Sequence, residues 1–412
     1  MSHAPHAGRI PLRLPSASAT FAIAIAGYLG VNLSPYMITA LEASIGVDFI
    51  TAGWIVTGVL LATAIVGLSV APLCAGRSRL SVARGGLLLG VLAFGAAALV
   101  PSPAVIIAGL LVGGAGAGGA VAASGAAFAA FINPDRVAGF NGLANRAIIT
   151  VVLAVLPVLG LAPINVFGAL ALFSLIGLVL SGWLPQVPVG NPQAAALPMP
   201  SGTPAHRSAD RRVTIAGFTL LVVFALWAVT EDSLWAMGGV LGESQAGVTP
   251  EGLGLALSGA TAGGLIGSVL LMIVGDKLGR AVPLAVLMLL GSALKIATGF
   301  ATDPTVFIVL FIAWNTVYAV AFMYFVAVSA ALSADGRWSG PLLAVYLVGS
   351  SLTPIIGAAL LAWLGNHGFT IFLGVSSMLL AVPTVAVAVL ATRLYRAPSV
   401  TAPVESPDVL AK

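Results

Sequence analysis

Long apolar runs follow one another along this chain from residue 18 to residue 391, separated only by short polar breaks. Each is close to the roughly 20 residues that carry a helix across a bilayer. Approximate boundaries place them at 18–40, 52–73, 84–100, 104–131, 145–163, 166–184, 213–239, 252–274, 281–301, 305–332, 341–363 and 369–391, twelve in all. Inside lipid no water satisfies a bare backbone, so each run must be a helix or a strand of a closed barrel. The runs are rich in Ala, Leu, Val and Gly. They lack the alternation by which a barrel strand faces lumen and lipid in turn, so the expected fold class is all-α integral membrane.

Charge is correspondingly scarce: of 412 residues 59% are hydrophobic, 17 are Lys or Arg and 13 are Asp or Glu. A soluble domain spends about a quarter of its residues on charge. Soluble enzymes, nucleic-acid readers and disordered scaffolds are therefore excluded together. A single cysteine, Cys74, and the scattered His3, His6, His206 and His367 form no metal constellation. No glycine loop leads into Lys-Ser/Thr, so neither ATP drive nor any cofactor is expected. The start of the chain lacks a small-residue cleavage site after a short apolar core, and no signal peptide is expected.

Basic residues in short loops collect on the cytoplasmic side. With the N-terminus inside, every Lys and Arg except Lys295 falls on that face, while the outer loops and helix ends hold Glu42, Asp48, Glu243, Glu251 and Asp303. A missed helix would invert half of the loops and destroy this segregation, so the basic balance is topology and contact with the lipid bilayer, without a nucleic-acid partner. Residues 185–212, with Pro185, Pro188, Pro192, Pro198, Pro200 and Pro204, read as an extended cytoplasmic linker. It separates a bundle over 18–184 from one over 213–391, with cytoplasmic tails at 1–17 and 392–412. The halves echo each other: an offset of 201 residues superposes Pro103 on Pro304, Arg79 on Arg280 and Arg136 on Arg337, and one of 197 superposes Pro157-x-x-Gly160 on Pro354-x-x-Gly357. Such repetition is the mark of two related six-helix bundles.

Six plus six helices, a Pro-rich central loop and two similar halves resemble the major facilitator superfamily over residues 18–391. The segment Gly275-Asp276-Lys277-Leu278-Gly279-Arg280 is similar to that family's loop signature. The resemblance implies a gating role for Asp276, Lys277, Gly279 and Arg280, an acid and fixed cations closing the cytoplasmic side. The equivalent first-half loop, Ala75-Gly76-Arg77-Ser78-Arg79, has no acid. Leu156-Pro157-Val158-Leu159-Gly160 is similar to an element of the superfamily's exporters, with Leu156 in place of its first glycine, whereas the fourth run lacks the arginine often found there in proton-driven drug exporters.

A transporter must place polar groups at mid-membrane, where they are expensive to insert. The seventh run carries Glu231 and Asp232 side by side. Neighbours on a helix point roughly 100° apart, so one cavity cannot take both. The stripe Phe224, Trp227, Glu231, Trp235 selects Glu231 as the cavity-facing proton carrier and turns Asp232 toward a neighbouring helix or the outer lip, where it remains a second proton-coupling candidate. The first run contributes Tyr28, Asn32 and Tyr36 at i, i+4 spacing, and the tenth contributes Trp314, Asn315 and Tyr318. The resemblance places these helices around one cavity, so Tyr28, Asn32, Tyr36, Trp227, Trp235, Trp314, Asn315 and Tyr318 are candidate solute-binding residues. Lys295 is expected to snorkel to the outer interface; Asn141, Asn145 and Arg146 are expected at the inner mouth, as gate or surface residues.

The expected activity is secondary active transport by alternating access, with protons and a small organic or amphipathic solute as partners. Export is the favoured direction. Uptake of an organic acid would require Arg146 or Lys295 to reach the cavity, and a non-transporting sensor or scaffold is the alternative of another class. No nucleophile with its base can be assembled inside the membrane, so no enzyme is expected. The expected setting is a monomer in a bacterial cytoplasmic membrane, both termini inside.

Overall fold

The computed structural model describes residues 10–74, 76–128, 130–131, 134–186, 204–274, 279–332 and 338–396. These form thirteen α-helices: α1 Leu14–Asn32, α2 Ser34–Ile45, α3 Phe49–Cys74, α4 Arg79–Leu99, α5 Pro103–Phe128, α6 Pro134–Leu159, α7 Pro163–Leu180, α8 Pro204–Ala246, α9 Pro250–Val274, α10 Ala281–Thr298, α11 Pro304–Leu332, α12 Ser339–Ser351 and α13 Thr353–Arg396. The linker is shorter than expected, because α8 already begins at Pro204, a residue tolerated in a helix's first turn.

Thirteen helices make twelve passes because prolines and one glycine break them. α1 and α2 are one pass, interrupted at Leu33 (φ −90°, ψ 4°) ahead of Pro35. Pro35 has no N–H for the Val31 carbonyl, and the Ser34 hydroxyl donates to that carbonyl instead, at 2.9 Å. The second half repeats the device: α12 and the start of α13 are one pass broken before Pro354, and the Thr353 hydroxyl donates to the freed Ser350 carbonyl at 2.7 Å. Gly365, at φ 67°, ends that pass inside α13, and the remainder of α13 is the twelfth.

Helices α1–α7 form one bundle and α8–α13 the other; α2 meets α8, α3 meets α12 and α13, and α6 meets α9 across the divide. The glycines of α5 set the first bundle's spacing. A Cβ on Gly109 would lie 2.5 Å from the Ala93 carbonyl of α4, and one on Gly114 2.5 Å from the Val59 carbonyl of α3. Gly114→Leu should therefore drive α5 off α3 at a cost of about 3 kcal/mol. Gly85→Leu, where nothing lies within 4 Å, should be harmless. The yield of monodisperse protein compares the two.

An even number of passes in each bundle brings the first and last described residues, Ile10 and Arg396, and the residues flanking the central break, Gln186 and Pro204, to one face, the terminal face. Toward the opposite face one apolar core runs through both bundles, joining Leu29–Leu41 and Val56 to Leu234, Leu241, Leu257 and Phe311. Toward the terminal face it splits: Phe224, Phe325 and Leu342 stay within the second bundle, and Ile23, Leu87 and Ala123 within the first. The bundles are thus fused at one face and separate at the other. Large apolar side chains, among them Trp54, Trp183 and Trp363, cover the outside as lipid-facing surface.

Candidate functional site

Between the separated halves lies a cavity of about 370 Å³. Its first-bundle wall is Tyr28, Val31 and Asn32 of α1, Phe128 of α5, and Asn141, Gly142, Asn145, Arg146 and Ile149 of α6; the second bundle adds Asp232 and Trp235 of α8, Thr261 of α9, Asn315, Tyr318 and Phe322 of α11, and Tyr346 and Leu347 of α12. Asn141 with Asn145, and Gly142 with Arg146, are i, i+4 pairs and share a face. Trp235 Nε1–H donates to the Asn32 carbonyl at 3.3 Å, so these two residues tie the bundles together at the cavity's closed end. Lower on the wall, the Thr150 hydroxyl meets the Thr261 hydroxyl at 2.8 Å.

Asp232 is the acid of this cavity. Tyr318 donates its hydroxyl to Oδ1 at 3.0 Å, and the Tyr346 hydroxyl stands 2.8 Å from that of Tyr318. Oδ2 is buried without a hydrogen bond of ordinary geometry, although the Ser350 and Tyr346 hydroxyls lie close to this carboxyl. Arg146 reaches across to the second bundle, its guanidinium lying where a Cβ on Gly264 of α9 would stand, and it makes no ion pair among the described residues.

Glu231 is placed otherwise than the aromatic stripe suggested. Its Oε1 pairs with Lys295 Nζ at 2.6 Å, and the two side chains are 3% and 0% exposed. Trp314 Nε1–H donates to Oε2 at 2.7 Å, while Ser377 donates to Oε1 at 3.0 Å and also receives a hydrogen bond from Lys295. The carboxylate is therefore saturated within the second bundle by groups from α10, α11 and α13. Lys295 does not snorkel: its ammonium is held inside the bundle by Glu231 and Ser377. The stripe misled because Trp227 and Phe224 stack on each other and pack, tilted, against Phe325 in that bundle's own core. Only Trp235 of the stripe lines the cavity, and Asp232 takes the position expected for Glu231.

Of the candidate solute-binding residues, Tyr28, Asn32, Trp235, Asn315 and Tyr318 line the cavity. Trp227 and Trp314 are packed away from it, at 1% and 0% exposure. Tyr36 is also buried, for a specific reason: its hydroxyl donates at 2.7 Å to the Leu153 carbonyl, the acceptor that Pro157 leaves without an N–H. Tyr346 and Thr261 were missed, lying in runs with no conspicuous polar cluster, and Phe322, one turn beyond Tyr318 in the tenth run, was missed because it carries no polar group. Gly279 lies just before α10 with φ 70° and Arg280 is its N-cap residue, whereas Asp276 and Lys277 lie outside the described residues.

The fused face is closed by matched contacts. A Cβ on Gly53 of α3 would lie 2.8 Å from the Pro354 carbonyl, and one on Gly254 of α9 would lie 2.7 Å from Pro157 Cγ. The Ile355 N–H, next to the helix break, donates across the divide to the Thr57 hydroxyl at 3.0 Å. The two prolines that superpose in sequence thus sit on two of the seams where the bundles touch, α6 against α9 and α13 against α3.

No family model matches the chain, and no curated protein matches it in sequence. Solved structures do resemble it. A peptide transporter, POT, in complex with sulfate superposes with a TM-score of 0.71 at 12% identity, over 94% of this chain and 98% of its own. A D-xylose-proton symporter gives 0.63 at 15% identity over 89% and 95%, and the human organic anion transporter MFSD10 gives 0.65 at 16% over 91% and 100%. With so little shared sequence and nearly complete coverage in both directions, the likeness is one of architecture, and this chain has the fold of the major facilitator superfamily.

Proposed function

We propose that this protein is a proton-coupled secondary transporter that carries a small organic solute through the cavity by alternating access, with Asp232 as the proton carrier. The observation that carries the reading is a buried carboxyl with an oxygen lacking a hydrogen bond of ordinary geometry, in a cavity walled by two bundles that are fused on one face only. The charge rule assigns the terminal face to the cytoplasm, and on that reading the face where the bundles separate is the inward one. A carboxyl that takes either a proton or the cationic group of a solute makes the two ligands alternate, which drives export against inward proton flow. The presence of Arg146 in the cavity favours a second reading, uptake of an organic acid with a proton. The sign of the pH dependence separates them. In export, proton and solute exclude each other and solute affinity falls as pH falls through the titration of Asp232; in uptake the protonated form is required and affinity rises.

Proteoliposomes with an imposed pH gradient test the transport reading, using aromatic amines, aromatic carboxylates and aromatic amino acids as probes. The gradient should drive flux of at least one class and a protonophore should abolish it; flux of every probe indifferent to the gradient would overturn the reading. The seam is tested separately. Gly53→Leu should part the bundles at the opposite face, raising the reaction of an introduced Asn32→Cys with an impermeant thiol reagent added outside; native Cys74 is buried and does not interfere. Unchanged labelling would remove the Gly53 contact from the gate.

A further inference from the structure

Resting on the transport reading above, we infer that the solute is zwitterionic: its carboxylate is seated on Arg146 of the first bundle and its ammonium on Asp232 of the second. The argument begins with two charges that do not compensate each other. Among the described residues the one ion pair is Glu231–Lys295, which leaves Arg146 and Asp232 without an opposite charge although both line the same cavity. Asp232 is 6% exposed and its Oδ2 is buried without a hydrogen bond of ordinary geometry. Tyr318 donates to Asp232 while accepting from Tyr346, so hydroxyls of the second bundle, and no cation among the described residues, hold the carboxyl. Leaving a desolvated charge unpaired is costly.

A ligand bearing one charge can relieve only one of these sites. A zwitterion relieves both, with its body against Tyr28, Phe322 and Trp235, whose rings suit an apolar or aromatic side chain. Its ammonium is a charged hydrogen-bond donor, where Asp232 has only hydroxyls beside it; its carboxylate can be gripped by the fork of a guanidinium. Since Arg146 and Asp232 belong to different bundles, such a solute bridges them and binds more tightly when the gap narrows. That difference in affinity is what a solute needs in order to shift the closing equilibrium.

The test uses the full chain in lipid nanodiscs and calorimetric binding of matched compounds: phenylalanine and glycylphenylalanine, their C-terminal amides (cation only), their N-acetyl forms (anion only) and the doubly blocked neutral forms. At least one parent zwitterion should bind about tenfold or more tightly than either singly charged derivative, the range expected for hydrogen bonds to charged groups. Arg146→Gln should abolish the preference over the amide, and Asp232→Asn the preference over the N-acetyl form. Arg146→Lys, which keeps the charge, should retain the first preference in weakened form. Equal affinity for zwitterion and singly charged forms, no binding of either zwitterion, or variants that weaken all four forms alike would overturn the inference. Should Arg146→Gln not fold, the four-compound comparison on the wild type decides alone. Charge-selective binding without gradient-driven flux would sink the transport reading and leave the solute class standing; gradient-driven flux of the amide and the N-acetyl form, with no charge preference, would do the reverse.

Discussion

Asp232→Asn should reduce gradient-driven solute flux in proteoliposomes to the level of empty vesicles while the protein folds and purifies as well as wild type. Asn is nearly the shape of Asp and keeps an oxygen to accept the Tyr318 hydroxyl now bonded to Oδ1 at 3.0 Å, but it cannot take up or release a proton. Glu231→Gln is the informative contrast. The Glu231 carboxyl is saturated by Lys295, Trp314 and Ser377 and lies outside the cavity wall, so its loss should damage stability more than coupling. If the Asn variant pumps normally and the Gln variant, though well folded, does not, the proton carrier is Glu231 and the assignment is reversed.

Lys295→Met should be the most destabilising of the single substitutions considered. It leaves the Glu231 carboxylate, 3% exposed, without the cation held at 2.6 Å. Removing one partner of a buried pair costs about 3–5 kcal/mol, because the remaining charge stays desolvated. Replacing both, as Lys295→Met with Glu231→Gln, should recover much of that loss, since an uncharged pair carries no uncompensated charge. Unfolding midpoints in a mild detergent, with gel filtration before and after heating, measure the three variants. A double variant no better than Lys295→Met would mean that the pair's shape, rather than its charge balance, holds α8, α10 and α13 together. Gradient-driven flux through a folded double variant would further separate this clamp from the transport machinery.

Much of the architecture was legible because the bilayer reduces it to a count. A helix must satisfy its own backbone, so apolar run length marks each pass, and the segregation of basic residues fixes an even number of them. The prolines were legible as well, although what they do was not. Pro157 and Pro354 matched in sequence, yet only the structure shows them on seams between the bundles, against Gly254 and Gly53. Tyr36 illustrates the limit: its place in a polar stripe suggested solute binding, whereas its hydroxyl serves the carbonyl that a proline on another helix leaves open.

Sequence by itself determined the fold class, apolar helices in two related bundles, and which few residues are too polar to sit idly in lipid, since each of these follows from local composition and the cost of inserting charge. Tertiary structure alone decided which of two adjacent acids faces the cavity. That choice depends on the rotation of α8 about its axis, and the rotation is set by groups distant in the chain: Lys295, Trp314 and Ser377 draw Glu231 into the second bundle and so present Asp232 to Tyr318 and the cavity.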